Sequence, residues 1–289
     1  DVIRDLGEPR QRLAVLVADH DVGEPQTLLI RDLVGHARPR LLDGAAEVAP
    51  AHGELDRQVA LLGLAVYAPL GASAQCSSVN TAFQSGETLR YDLYFNWKFV
   101  WIKVGTASMN TTRTTYAGHP ALRSYLITRG SKRADKIFVM RDTLMSYMGM
   151  NLVPKYYVKK AFEGDTYRKS EAWYSYANGK CTVRSRYQRN SLPPSTDVHE
   201  SKSCAFDMIS MMQRARSMSA EGMKVGHRIA FLMADGKKCE WQNIVYRGKK
   251  KFKMENSNTT YRCLVFSFVE KENGKEKEVV TFYITDDKN

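Results

Sequence analysis

The first quarter of the chain lacks six of the twenty amino acids. Residues 1–74 contain no Lys, Asn, Phe, Trp, Cys or Met, and their seven Arg stand against eleven Asp and Glu. The later residues therefore carry the excess of positive charge that gives the 289-residue chain a net charge of +12. So sharp a change in composition after Ala74 is typical of a boundary, and we divide the stretch before it into residues 1–56 and 57–74.

Two interpretations of residues 1–56 are open. They are either a genuine domain rich in Ala, Leu and Arg, or a spurious or disordered extension translated upstream of the true start. We favour the extension, because the chain begins with Asp1 rather than Met and because a secretion signal lies in its interior. The expectation is that these residues do not pack as a domain.

Residues 57–74 have the parts of a secretory signal peptide. Arg57 precedes an uncharged run of twelve residues, 59–70, and Ala72 and Ala74 form a small-x-small cleavage site. A helix of twelve residues is about 18 Å long, which is too short for a bilayer core of about 30 Å. The alternative is a buried helix that ends at Pro69. We favour cleavage between Ala74 and Gln75.

Gln75 also bears on lipidation of the next residue, Cys76. A lipidated Cys follows Gly, Ala or Ser, and Gln75 stands there instead. The sequence therefore favours a soluble periplasmic protein over a lipoprotein, with residues 75–289 as the mature domain.

Apolar residues after Ala74 mostly recur at the two-residue period of β-strands. The alternation Leu89, Tyr91, Leu93, Phe95, Trp97 changes phase at Phe99–Val100, which predicts a bulge or bend there. The dipeptides Asn178-Gly179, Asp235-Gly236 and Asn273-Gly274 predict hairpin turns.

One stretch departs from this pattern. Ala205–Ser217 has helical spacing, and Ser191–Ser203, with two prolines, predicts a loop leading into it. The expected fold is mainly β: an antiparallel curved sheet or barrel-like meander with one inserted α-helix, preceded by an N-terminal extension that is not a domain.

Motifs for phosphate loops, dinucleotide folds, metalloproteases and serine hydrolases are lacking. Only three His follow Gln75, and they are scattered, so no set of metal ligands can be read. We therefore predict no catalytic residue, no metal and no cofactor.

Five Cys are present, none in a CxxC motif. Cys239 and Cys263 fall in predicted strands of one meander, and an exported protein can form disulfides, so a cross-strand bond between them is one interpretation. The other is two small, half-buried thiols.

An aromatic strand and a basic run are candidate binding features. Tyr91, Leu93, Phe95, Trp97 and Trp101 either line a cavity for an apolar ligand or form the core of a twisted sheet. Arg247, Lys249, Lys250, Lys251 and Lys253 either contact an anionic surface or lie on a solvated hairpin.

Several motifs together resemble an exported bacterial family known as domain of unknown function 3108. They are, in chain order, Phe83-x-x-Gly86-Glu87-x-Leu89-x-Tyr91, Gly105-x-Ala107, Asp207-Met208-Ile209-Ser210, Arg214-Ala215-Arg216 and Tyr283-Ile284-Thr285-Asp286-Asp287-Lys288-Asn289. The resemblance covers about residues 77–289 and implies an antiparallel β protein of the Gram-negative envelope, with no reaction, cofactor or site to carry over. It also implies further C-terminal strands that are missing after Asn289.

The function expected from these features is that of a non-enzymatic periplasmic binding or carrier module for an apolar or lipid-like ligand. Its partner would be an envelope lipid, a glycolipid or another envelope protein, and not nucleic acid. The alternatives are a structural or protein-interaction module and an enzyme that acts on envelope glycans. An apolar cavity would favour the carrier, and converging carboxylates in a cleft would favour the enzyme.

Overall fold

The computed structural model describes residues 26–28, 76–97, 100–253, 260–272 and 275–286. Except for a three-residue strand, the extension, the signal peptide and the Ala74–Gln75 junction lie outside these ranges. Strands dominate, in two sheets. The first sheet contains β1 (Gln26–Leu28), β2 (Thr88–Trp97), β3 (Val100–Tyr116), β4 (His119–Gly130), β5 (Met140–Gly149), β6 (Pro154–Glu163), β7 (Thr166–Ala177), β8 (Lys180–Arg189) and β9 (Ser195–Ser201).

The first sheet is an antiparallel meander from β2 to β9, in which each strand pairs with the next one along the chain. The short β1 pairs with β2 in parallel. Within the described ranges β2 and β9 do not pair with each other, so the sheet is open rather than closed into a barrel. The prediction of an antiparallel, mainly β fold is confirmed.

The second sheet has five strands in chain order. They are β10 (Ala205–Phe206), β11 (Arg228–Asp235), β12 (Lys238–Lys253), β13 (Thr260–Glu272) and β14 (Lys275–Thr285). In this sheet β10 pairs with β11 in parallel, and β11 to β14 form an antiparallel meander.

The predicted helix forms over a shorter range. Helix α1 spans Met208–Arg216, inside the predicted Ala205–Ser217, because Ala205 and Phe206 form β10 instead. A 3-10 turn, Ala134–Lys136, follows β4. In the part of the chain that the structure describes, no helix has the length and apolar character needed to cross a membrane.

One apolar core joins both sheets and the helix. Met109, Leu126 and Leu144, on neighbouring strands of the first sheet, are buried together with Ile209 of α1 and Leu232 of β11. We call the side of the first sheet that bears these residues its inner face. Alternate residues on the same strands point to the opposite, outer face.

The phase change at Phe99–Val100 has a different cause from the predicted bulge. Trp97 pairs with Val100, so the chain reverses there into a β2–β3 hairpin. The irregularity lies earlier, between Leu93 and Tyr94. A hairpin explains the change of phase, because two strands with one buried face meet there in opposite directions.

The loop predicted over Ser191–Ser203 is also corrected, since it contains strand β9. Among the described strands β9 pairs with β8 alone, at the edge of the sheet. None of its side chains is buried, so the strand lacks the apolar alternation by which strands are recognised.

Candidate functional site

A ladder of buried polar side chains holds α1 against the inner face of the first sheet. Asp207, Ser210, Gln213 and Arg216 recur at three-residue spacing, which puts them on one side of the helix. The first three are completely buried, and the side chain of Arg216 is 5% exposed. We call these four residues the buried ladder.

The first two residues of the buried ladder, Asp207 and Ser210, cap the helix and bond it to β5. The Ser210 backbone N donates to Asp207 Oδ1 (2.8 Å), and the Asp207 backbone N donates to Ser210 Oγ (3.0 Å). This is a capping box, which satisfies donors at the helix start. Ser146 Oγ donates to the second carboxylate oxygen, Oδ2 (2.9 Å).

The last two residues of the buried ladder, Gln213 and Arg216, bond the helix to β3, β4 and the segment before β2. Gln213 Nε2 donates to Thr111 Oγ1 (2.7 Å) and Ser124 Oγ (3.0 Å). Arg216 donates to both oxygens of Glu87, at 2.8 and 2.7 Å. A two-pronged pair of this kind fixes orientation as well as distance. Three motifs that carry the family resemblance therefore meet in one structural clamp.

Two buried carboxyl groups have perturbed acidity. Burial raises the pKa of Asp207 to about 6, although the hydrogen bonds from Ser210 and Ser146 oppose the change. Burial, and next the charge of Glu163, raise the pKa of Asp142 on the inner face of β5 to about 7. Oδ1 of Asp142 has no hydrogen-bond partner among the described residues.

A disulfide joins Cys76, ahead of β2, to Cys204, directly before β10. Their Cα atoms lie 5.4 Å apart and 128 residues separate them in sequence. Arg214 of α1 also donates to the Cys76 carbonyl oxygen (2.9 Å). The disulfide therefore ties the start of the domain to the segment that leads into the helix.

Of the two interpretations of Cys239 and Cys263, the cross-strand disulfide is wrong. Cys239 pairs with Ala234 near the β11–β12 turn, whereas Cys263 pairs with Lys250. Cys239 and Lys250 are eleven positions apart on β12, roughly 35 Å. Cys239 and Cys263 lie in the same meander but far apart along its strands.

The candidate apolar cavity is only partly within the described structure. Tyr91 and Leu93 are 1% and 4% exposed and belong to the core between the sheets. The side chains of Phe95, Trp97 and Trp101 fall outside the described part. The structure therefore places Tyr91 and Leu93 in packed core.

The basic run lies on β12, and its residues differ in their partners. Arg247 pairs with Glu276 and Glu278 of β14, and Lys249 pairs with Asp286. The other three are exposed and have no acidic partner in the described ranges: Lys250, Lys251 and Lys253. Contact with an anionic surface stays a prediction for these three.

A row of aromatic rings crosses the outer face of the first sheet. Tyr147, Tyr156 and Trp173 stand directly opposite one another on β5, β6 and β7. Ring centroids are 6.4 Å apart for Tyr147 and Tyr156 and 5.4 Å for Tyr156 and Trp173. Tyr116 of β3 joins the row, 5.2 Å from Tyr147. All four rings are half-buried, and we call them the aromatic row.

Arginines flank the three rings that stand in register, Tyr147, Tyr156 and Trp173. Arg123 is opposite Tyr147, and Arg184 is opposite Trp173 with its guanidinium 5.2 Å from the ring centroid. From β4 to β8 these three rings and the two arginines cross four strand intervals, about 19 Å. The result is a long surface with flat rings in the middle and cations at the ends.

Polar groups flank the rings. Tyr156 Oη donates to Glu171 Oε1 (2.8 Å), and Lys169 Nζ lies 3.0 Å from the other oxygen of Glu171. Burial, and next the bond to Glu171, raise the pKa of Tyr156 above its usual range, so the hydroxyl stays a neutral donor. Such a surface can stack on flat ligand faces and hydrogen-bond their edges.

The described residues contain no group of three or more His, Cys, Asp and Glu that could hold a metal ion. A family model described as a protein of unknown function, DUF3108, matches residues 90–289. The chain belongs to the DUF3108 family. The resemblance expected from the motifs is thus confirmed for the family itself. No curated protein and no solved structure matches the chain.

The match to DUF3108 begins within β2, so it contains α1, the aromatic row and the second sheet, while Glu87 lies just before it. Sequence reasoning missed the aromatic row in this DUF3108 chain, because its members come from different strands and meet only through register. A signal was present at Tyr147, which stands between the inner-face residues Ser146 and Met148. One outward ring alone is ordinary, however, and only a contiguous patch of them marks an interaction surface.

Proposed function

We propose that this DUF3108 protein is an exported, non-enzymatic binding module that holds an extended carbohydrate chain on the outer face of its first sheet. The observation that carries the proposal is the aromatic row, Tyr116, Tyr147, Tyr156 and Trp173. A sugar ring has an apolar C–H face and a rim of hydroxyl groups. Half-buried aromatic rings suit the first, and flanking charged and hydroxyl groups suit the second.

Export is supported by two independent features. The sequence of residues 57–74 has the pattern of a signal peptide. The Cys76–Cys204 disulfide is a bond typical of secreted and periplasmic proteins, since the cytosol keeps thiols reduced. Both favour the periplasm as the place of action.

The absence of catalysis is supported by where the perturbed carboxyl groups lie. The two carboxylate oxygens of Asp207 already accept hydrogen bonds from Ser210 in the helix cap and from Ser146. Asp142 lies on the inner face between the sheets. Neither stands in the aromatic row. The acid beside the rings, Glu171, is engaged by Tyr156 and Lys169, so it is suited to holding a ligand rather than to transferring a proton.

The surroundings of the row favour an acidic or hydroxyl-rich chain. Arg184 and Arg186 on β8 and Lys160 on β6 share the outer face with Arg123, and Glu171 is the acid that stands among them. Single-stranded nucleic acid also stacks on aromatic rings. We argue for carbohydrate because of the expected export, and nucleic acid is an outcome of the test.

The test is calorimetric titration of the mature chain with three probes: a neutral glucan oligosaccharide, an oligogalacturonate and a single-stranded oligonucleotide. We expect binding to one of the two glycans, weakened about 5- to 150-fold in Trp173→Ala, since one stacking contact contributes about 1–3 kcal/mol. Trp241→Ala is the matched control, because Trp241 is 58% exposed on the other sheet. Preferential binding of the oligonucleotide, or equal binding by Trp173→Ala, would contradict the proposal.

A second candidate is an internal lipid-like ligand. Specific polar atoms favour it: the hydroxyls of Tyr157 and Tyr174 on the inner face and Oδ1 of Asp142 are buried without hydrogen-bond partners in the described ranges. A polar head group between the sheets would satisfy them. Mass spectrometry of lipids extracted from the mature protein tests this candidate, and a lipid-free extract would argue against it.

A further inference from the structure

A basic depression lies where β3 and β4 meet the turn that follows β4. It has a volume of about 290 Å³, and its lining includes Lys103, Thr106, Arg129, Ser131 and Arg133. Its floor is the glycine pair Gly105 and Gly130, which stand opposite each other on the two strands. About 20 Å of β4 separates Arg129 from Arg123, so the depression is distinct from the aromatic row.

Protein atoms crowd both glycines on the side where a Cβ would stand. A Cβ on Gly105 would lie 2.2 Å from the Arg129 carbonyl oxygen, and one on Gly130 would lie 2.6 Å from Asp135 Oδ1. Both distances are below 3.0 Å, which real Cβ atoms essentially never show. The two glycines therefore let the two strands and the Asp135 side chain pack this closely beside the depression.

The carboxylates near the depression are already engaged. Asp92 pairs with Lys103 Nζ (2.6 Å), and Asp135 pairs with Arg141. Arg129 and Arg133 are exposed and have no acidic partner among the described residues. The local positive charge is thus in excess.

Strand register concentrates that charge. Arg129 stands directly opposite Arg141 on β5, and like charges in that position destabilise a sheet. The ion pair with Asp135 compensates the charge of Arg141. An anion bound between Arg129 and Arg133 would compensate the charge of Arg129.

We propose that this depression is a binding site for one oxyanion, a phosphate or carboxylate group. Arg129 and Arg133 supply planar guanidinium groups that match such a group with two parallel hydrogen bonds. Thr106 and Ser131 supply hydroxyls at its edge. The site is independent of the carbohydrate proposal.

The test follows backbone amide NMR shifts of the mature chain during titration with inorganic phosphate and, separately, with acetate, each against chloride at equal ionic strength. We expect saturable shifts at Gly105, Thr106, Gly130 and Ser131 with at least one of the two. The comparison of phosphate with acetate assigns the kind of oxyanion. Shifts no larger than those caused by chloride would overturn the proposal.

Variants test the two arginines. In Arg129→Gln/Arg133→Gln the dissociation constant should rise at least about tenfold, because charge-assisted hydrogen bonds are lost. Both side chains are exposed, so the fold should persist. Arg189→Gln, at an exposed arginine on β8, is the matched control and should change affinity less than about twofold. Equal affinity of the double variant and the wild type would overturn the assignment.

Discussion

Replacing Arg216 by Met, or Glu87 by Gln, should destabilise the protein far more than loss of an ordinary surface ion pair. The two side chains are only 5% and 12% exposed, and two hydrogen bonds join them. Removing one partner leaves the other charge buried, which costs about 3–5 kcal/mol. Arg216 also loses its bond to Gln213 and its position 5.4 Å above the Phe83 ring.

The assay is urea unfolding of the wild type, both single variants and the double variant, Glu87→Gln/Arg216→Met. The double variant leaves no unpaired charge, so it should be less destabilised than the sum of the singles by at least about 1 kcal/mol. The control is Lys180→Met/Glu200→Gln and its singles. That pair is 52% and 55% exposed and should contribute less than about 1 kcal/mol.

Single variants that cost less than about 1 kcal/mol would refute the clamp, as would strict additivity. In either case the motif residues on α1 and before β2 would not be coupled through this pair. The shared motifs would then need another explanation than attachment of the helix.

Three further outcomes follow from the structure. Cys76→Ser/Cys204→Ser should lower the free energy of unfolding by up to about 5 kcal/mol in chemical denaturation, the loop-closure entropy of a 128-residue separation, and an effect below about 1 kcal/mol would speak against the bond. The pKa of Asp142 is raised from 3.8 to about 7, so its proton stabilises the fold at low pH, and this contribution is lost as pH rises through 7. Asp142→Asn should therefore remove about 2–3 kcal/mol of the difference in unfolding free energy between pH 5 and pH 8. An unchanged difference would disprove the burial argument. Gly105→Ala should lower the melting temperature, because its Cβ meets the Arg129 carbonyl oxygen at 2.2 Å, whereas Gly118→Ala, with open space around it but a positive φ of +78°, tests conformational strain alone.

Local patterns carried much of the fold. The alternation from Leu89 to Leu93 predicted β2, and Asn178-Gly179 predicted the β7–β8 turn, where both residues have positive φ. The helix was predicted from spacing over Ala205–Ser217. These features depend on neighbours along the chain, so a single sequence contains them.

Long-range pairings could not be predicted in the same way. The bond between Cys76 and Cys204 and the pair of Glu87 and Arg216 join residues more than a hundred positions apart. The aromatic row depends on the register of β5, β6 and β7 together. Register is set by which faces are buried, and only the assembled sheets determine that.

The most direct measurement of the central claim is an NMR map of the mature chain titrated with the oligosaccharide that binds best. The account predicts amide shifts that cluster at Tyr147, Tyr156, Trp173 and Arg184 on the outer face. Shifts that cluster instead around Tyr157 and Tyr174 on the inner face, or no saturable shifts at all, would contradict it.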